Sequence, residues 1–388
     1  MTARDWTSAG ERSLRAWLWQ GAALGLVVLV VALFAREAAI NLRARGIASG
    51  FAFLGRASGF EVAPGLVAFS SRDTVAWALG VGLINTLRAA FLGIVLATVL
   101  GVAVGIARLS TVPGVATVAR WYVEVMRNTP LLLQLLFWYA LSQSLPGPDG
   151  ALHPLPGIFL CNRGLYFPAL TRGGVAAVLG LAGIGVLIAR ILLTRAQRRR
   201  AGQADGPSTG WMVAGGAIAC AAVLAGASFG VTLDRPVLDG FNFRGGLWIT
   251  PEFAALVVGL VTNSAAFIGE IVRSGILSVA RGQVEAATAL GLPQGAILRR
   301  IVLPQALPVM IPPMTSQYLA VLKNSSLAIA IGYTDLIAIG NVTLNQSGQA
   351  IETLLLVMAS YLVFGLLIAA AMSVHDGPLR SRRRELEA

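Results

Sequence analysis

The chain has 388 residues, of which 56% are hydrophobic and only 12% charged. That is half the charge of an ordinary soluble protein, which excludes a soluble globular fold and makes the lipid bilayer its solvent. The formal net charge is +12, but the arginines fall in short clusters between apolar runs, as the positive-inside rule describes, and not as a basic nucleic-acid surface interleaved with aromatics.

In chain order, residues 17–34 form a first apolar span behind Arg4, Arg12 and Arg15. It is longer than the apolar core of a signal peptide and reads as an uncleaved anchor. Residues 36–73, interrupted by Arg36, Arg43, Arg45, Arg56 and Arg72, are too broken to span. Further spans are predicted over 81–107, 123–142, 174–193, 211–229, 251–277, 307–322 and 353–374, so the expectation is an all-α, polytopic membrane protein of about eight helices. The organisation expected is an anchor helix with a periplasmic segment (1–80), the first part of a core (81–143), an inserted loop with two extra spans (144–250), and the second part of the core (251–388). Eight spans put both termini on one side. With that side cytoplasmic, the cytoplasmic segments together with the span ends that meet them carry 19 Arg and the outer segments 9, the bias that sets orientation.

Composition limits the chemistry. Of 30 basic residues, 29 are Arg, and the single lysine, Lys323, lies between Leu322 and Asn324. A Gly-Lys-Ser/Thr phosphate loop therefore does not exist here, and ATP is not bound by a P-loop on this chain. Two His and two Cys, widely scattered, do not make a metal site, and Cys161 and Cys220 are not expected to pair. His153 and His375 lie outside the spans with no catalytic constellation, which argues against a membrane enzyme.

Two patterns stand out. Gly93, Ala97, Gly101 and Gly105 recur every fourth residue and line one groove of a helix, where a neighbouring backbone comes close, either within this chain or from another subunit. Farther on, Gly282 and the run Glu285-Ala286-Ala287 lead to Gly291 and Pro293. Gly291 suits a helix C′ position and Pro293 the first turn of a second helix, which is expected to carry Ile297 and Ile301 and to stop at Leu303-Pro304. The segment 281–304 thus reads as a helical elbow with a small-residue face, open to another protein. Pro304, Pro308, Pro312 and Pro313 predict a kinked or broken start to the seventh span.

The wording Glu285-Ala286-Ala287, Gly291, Ile301-Val302-Leu303-Pro304 resembles the EAA signature of permease subunits of bacterial ABC importers. Gly269-Glu270-Ile271-Val272-Arg273-Ser274-Gly275-Ile276, Lys323-Asn324-Ser325-Ser326-Leu327, Asn85-Thr86-Leu87 and Arg127-Asn128-Thr129-Pro130-Leu131 are similar to the polar amino-acid branch of that family. The added spans, with 46–60 and 162–166, resemble its general L-amino-acid subgroup. The resemblance implies a type I permease core of five helices with additions, working by alternating access and without covalent chemistry. It implies no cofactor on this chain, since ATP and Mg would be bound by cytosolic ATPase subunits, expected as a dimer. It also implies a second, related permease subunit, a periplasmic binding protein that delivers the amino acid, and a place in the bacterial inner membrane. No nucleic acid is expected.

Under that resemblance, Gly282, Glu285, Ala286, Ala287, Gly291, Ile301 and Pro304 are the ATPase-coupling residues. Charges inside spans usually face the bundle interior. Glu270 therefore either meets the substrate or pairs with Arg273 one turn on, and Thr262 and Asn263 either line the same path or tie helices together. Arg127, Asn128, Thr129, Lys323, Asn324 and Ser325 complete the pathway candidates. The competing reading is an ion-coupled secondary transporter, which would need acidic ligands deep in several spans. Glu270 is the one such residue noted, with Glu252 and Glu352 at span edges.

Overall fold

The computed structural model describes residues 19–170 and 233–387, apart from scattered positions between 31 and 66, with side chains as far as residue 373. The fourth and fifth predicted spans (174–193 and 211–229) lie outside the described residues. Helices dominate. They are an apolar helix α1 (Trp19–Phe34), α2 (Val75–Ala107), α3 (Pro113–Asn128), α4 (Leu131–Gln143), α5 (Pro251–Leu277), α6 (Arg281–Ala289), α7 (Gln294–Ile297), α8 (Leu303–Asn324), α9 (Leu336–Ser347) and α10 (Ala350–Glu387). Three of them are long and apolar enough to cross a membrane: Val75–Ala107, Pro251–Leu277 and Ala350–Ser373. A fourth crossing is made if Gln294–Ile331 and Leu336–Ser347, bent by 57°, count as one broken span. Eight spans are thus not reached among the described residues.

Three expectations need correction. The helix predicted over 123–142 is two helices, because Pro130 has no N–H to continue α3 and its neighbour Thr129 turns extended, with φ −101° and ψ 127°. The second elbow helix does not stop at Leu303-Pro304. A π-turn, Leu298–Val302, carries it directly into α8, with the Leu303 N–H bonded to the Leu298 carbonyl. Pro304 lacks the N–H an α-turn needs there, and widening the helix by one residue accommodates the gap. Once past it, α8 continues through Pro308, Pro312 and Pro313 as one helix. Nor is the chain wholly helical. Short antiparallel strands, β1 (Leu152–Leu155), β2 (Ile158–Cys161), β3 (Gly164–Phe167) and β8 (Leu247–Ile249), form a sheet in that order. Two strand pairs accompany it: β4 (Ala169–Leu170) with β5 (Leu233–Asp234), and β6 (Val237–Asp239) with β7 (Asn242–Arg244). These strands are two to four residues long, and their prolines and glycines read as loop. Cys161, Tyr166 and Phe243 make a small core beside them.

Two compact units emerge. The first comprises Met1–Ala90 and Pro293–Ala388, the second Phe91–Leu292. In the first, Phe53, on a 3-10 turn (Phe51–Gly55), is 1% exposed and packs with Val75, Ala78, Leu79, Leu336, Ile339 and Val357. Glu352 accepts the Gly50 N–H at 2.7 Å. Part of the broken 36–73 segment is therefore a folded cap tied to the start of α10. In the second unit the predicted small-residue groove is intramolecular packing. A Cβ on Gly101 would sit 2.6 Å from Ile268, and one on Gly105 would sit 2.8 Å from the Gly269 carbonyl of α5.

Candidate functional site

The elbow begins with α6, whose helix ends as the sequence predicts. Gly291 has φ 73°. Its N–H bonds the Thr288 carbonyl at 2.9 Å, and the Leu292 N–H bonds that of Ala287 at 3.2 Å. This is a Schellman cap, and it needs a residue that adopts a left-handed backbone without a Cβ penalty. Pro293 sits one position earlier than expected, as the N-cap of α7. Gly282, Glu285 and Ala286 are exposed, Ala287 is buried, Ile301 is half-buried and Pro304 exposed. Beside Gly291, Leu290 is 81% exposed. A large apolar side chain held out on a rigid turn between small residues fits a protein groove. Its signal in the sequence was only its place before Gly291.

The second unit holds the charged cluster. Glu270 is ion-paired through Oε2 to Arg108, just past the end of α2, and its Oε1 accepts from Arg273 Nη2 at 2.8 Å and Nε at 3.2 Å. The pairing with Arg273 is the local i, i+3 alternative. Arg108, 162 positions away, has no local signal. Glu270 lies seven residues from the end of α5, about 10 Å along the axis, on the side from which the elbow departs. Arg120, Arg127 and Glu124 lie within electrostatic reach of Arg108, so positive charge prevails here.

Thr262 and Asn263 act as ties. The Tyr122 hydroxyl donates to the Thr262 carbonyl at 2.6 Å, Thr262 Oγ1 donates to Val258 O at 2.8 Å, and Asn263 Nδ2 donates to Met126 O at 3.2 Å. Arg127 is exposed and stacks over Phe267 at 5.2 Å, Asn128 is exposed, and Thr129 closes α3 by donating to Val125 O at 2.8 Å. A residue the sequence reading passed over, Gln134, is buried and donates to both Met126 O and Thr129 O at 3.0 Å, closing the α3–α4 break.

Lys323, Asn324 and Ser325 belong to the first unit, so the pathway candidates are not brought together in one unit. Lys323 is exposed, Asn324 half-buried, and Ser325 fully buried with its hydroxyl on Leu322 O at 2.7 Å. The same unit contains a polar seam. Asn85 Nδ2 donates to Thr334 O at 2.9 Å, Tyr333 Oη donates to Asn85 O at 3.1 Å, and the Leu336 N–H donates to Thr86 Oγ1 at 3.0 Å. These bonds fasten α2 to the break that precedes α9, where Gly82 lets the Asp335 carbonyl approach. Asn85-Thr86 was visible as wording but not as a clasp, and Asp335 went unnoticed altogether.

Among known proteins, the profile of the family "binding-protein-dependent transport system inner membrane component" matches residues 93–380. The chain is 42% identical over 379 residues to YhdX of Escherichia coli K12, which carries the provisional name of an amino-acid ABC transporter permease, covering 97% of this chain and 96% of YhdX. It is 43% identical over 356 residues to the general L-amino acid transport system permease protein AapQ of Rhizobium johnstonii, covering 90% and 89%. A solved structure described as an amino acid ABC transporter with histidines aligns with 78% of this chain and 94% of its own, at 20% identity and a TM-score of 0.46.

Proposed function

The chain belongs to the family of binding-protein-dependent transport system inner membrane components, and on that premise we propose that it is the permease subunit of an ATP-driven amino-acid importer. It sits in the bacterial inner membrane with both termini in the cytoplasm. A periplasmic binding protein delivers the amino acid, a second, related permease chain completes the channel, and a dimer of cytosolic ATPase subunits supplies the work. ATP and Mg belong to those subunits. The observation that carries the reading is the elbow, an exposed small-residue helix closed by a rigid Gly291 cap that holds Leu290 outward. Gly282, Glu285, Ala286 and Gly291 form its docking face, backed by the buried Ala287, with Ile301 and Pro304 at the far end of segment 281–304.

The mechanism is alternating access. Closure of the ATPase dimer moves the elbow, and because α6 follows α5 after three residues, Ser278–Ala280, that displacement reaches the α5 end that carries Glu270. Glu270, Arg127–Thr129 and Lys323–Ser325 are the pathway residues, while Thr262 and Asn263 border the path and hold α5 to α3. The expected organisation of an anchor (1–80), two core parts (81–143 and 251–388) and an insertion (144–250) is kept, with two of the eight spans in the insertion. Reconstitution tests the reading. Uptake of amino acid should require the ATPase subunits and ATP, and uptake driven by an ion gradient with this chain alone would overturn it.

A further inference from the structure

Asp335 is fully buried at the break between the 3-10 turn Ser325–Ile331 and α9. Its Oδ1 caps α9 by accepting the Ala338 N–H at 2.8 Å. Its Oδ2 is enclosed and has no hydrogen-bond partner among the described residues. A cap needs only one oxygen, which Ser, Thr or Asn supply equally well, so capping does not account for the second. An ionised carboxylate enclosed in this way leaves half its charge unmatched, which apolar surroundings penalise. An ionisable group in such a place in a membrane protein is a functional group by default.

The surroundings narrow the choice of ligand. The titratable and charged groups around Asp335 are Tyr333 from its own loop, Tyr361 from α10 and Arg88 from α2, whose charge bears on Tyr333. The Tyr361 hydroxyl, also enclosed, faces those of Thr86 and Ser325 without completing a hydrogen bond to either. Among the described residues, no space of water size adjoins the enclosed Oδ2, and the neighbouring crevice, lined among others by Thr86, Leu336, Ser360, Tyr361 and Phe364, is not lined by Asp335. A cation with its ligand shell has no room. A proton needs none, and it converts the bare oxygen from an unmatched charge into a neutral acid.

We propose that Asp335 is a proton-binding site of the seam between α2 and the α9 break, protonated while the seam is closed and ionised when it parts. The Asn85, Thr86 and Tyr333 hydrogen bonds keep the carboxyl from water. When they separate, the proton leaves to water, and it returns when they re-form. The sign follows: the closed seam holds the proton more tightly, so low pH favours the closed seam and rising pH the open one.

The test is infrared spectroscopy of the whole transporter, ATPase subunits included, at neutral pH. The wild type should show the C=O stretch of a protonated carboxyl, and Asp335→Asn, which keeps a capping oxygen and the size of the neutral acid, should lose it. Should Asp335→Asn not assemble, Asp335→Ser retains a cap and must lose the same band. A wild type without the band, or a band that survives the substitution, overturns the proposal. The seam's part in the cycle rests on the permease reading, and there Asp335→Asn should flatten the acid limb of the pH profile of ATPase activity. An unchanged profile overturns that coupling. The band is read without transport, so its absence leaves the importer reading standing, and failure of uptake leaves the band untouched.

Discussion

The elbow and the seam place similar residues under opposite physics. At the elbow, Thr288 is exposed and its hydroxyl bonds only Val284 of its own helix. At the seam, Thr86 is 1% exposed, and its hydroxyl accepts the Leu336 N–H, 250 positions away in sequence. Gly291 has nothing within 4 Å of a notional Cβ and is required for its backbone angle, whereas Gly82, with no φ in the left-handed region, would place a Cβ 3.0 Å from Asp335 O and Leu336 Cα. One region leaves its surface open, and the other spends its polar groups on itself. Damage at the first should therefore uncouple the protein, and damage at the second should unfold it.

The sharpest way to break that contrast is Gly82→Leu. Its side chain has no space against the α9 break, and overpacking of this kind costs about 1–3 kcal/mol or more. The thermal midpoint of the purified protein should drop, and an unchanged midpoint would show that the seam yields. Thr86→Val against Thr288→Val comes next. The first keeps shape but leaves the buried Leu336 N–H unmatched, a loss of about 1–3 kcal/mol, while the second should stay within about 0.5 kcal/mol as a surface change. Equal unfolding midpoints for the two variants would erase the distinction. Gly291→Val follows, where a β-branched residue is forced into a left-handed backbone at a cost of about 1–2 kcal/mol. It should weaken ATPase binding by about tenfold while membrane insertion stays normal, as copurification would read. Unimpaired assembly would remove the docking role.

What the sequence made legible follows the same line. The elbow could be read because its determinants are local: Gly291 and Pro293 state their backbone needs within a dozen residues, and the Glu285-Ala286-Ala287 wording sits beside them. α5 was legible to the residue, since Thr250 caps it and Pro251 opens it. The seam and the Arg108–Glu270 pair were not, because each joins residues far apart, and no local period marks Asp335 as buried; the Gln134 clasp reaches back only five and eight residues, but it exists only where α3 and α4 break, within what reads as one apolar span. Pro304 misled for a related reason. The stop it predicts assumes an α-turn, and the π-turn before it removes that assumption. The short strands gave too little alternation to be told from loop.

A modest effect on stability is expected at Glu270, which lies between the two extremes. Its side chain is 26% exposed, with Arg108 at 14% and Arg273 at 32%, so water screens the pairs in part and the loss on Glu270→Gln should be about 1 kcal/mol or less. The amide keeps its acceptor oxygen for Arg273 but leaves Arg108 with Glu124 as its opposing charge against Arg273, Arg120 and Arg127. Assembly should survive, and what should change is the repulsion at the α5 end above the elbow, and with it the rate at which that end moves. If Glu270 serves transport, Glu270→Gln alters uptake kinetics at constant assembly, and Arg108→Gln, which leaves Glu270 paired with Arg273, alters them less. Unchanged uptake in both variants would reduce the cluster to a tie between α2 and α5.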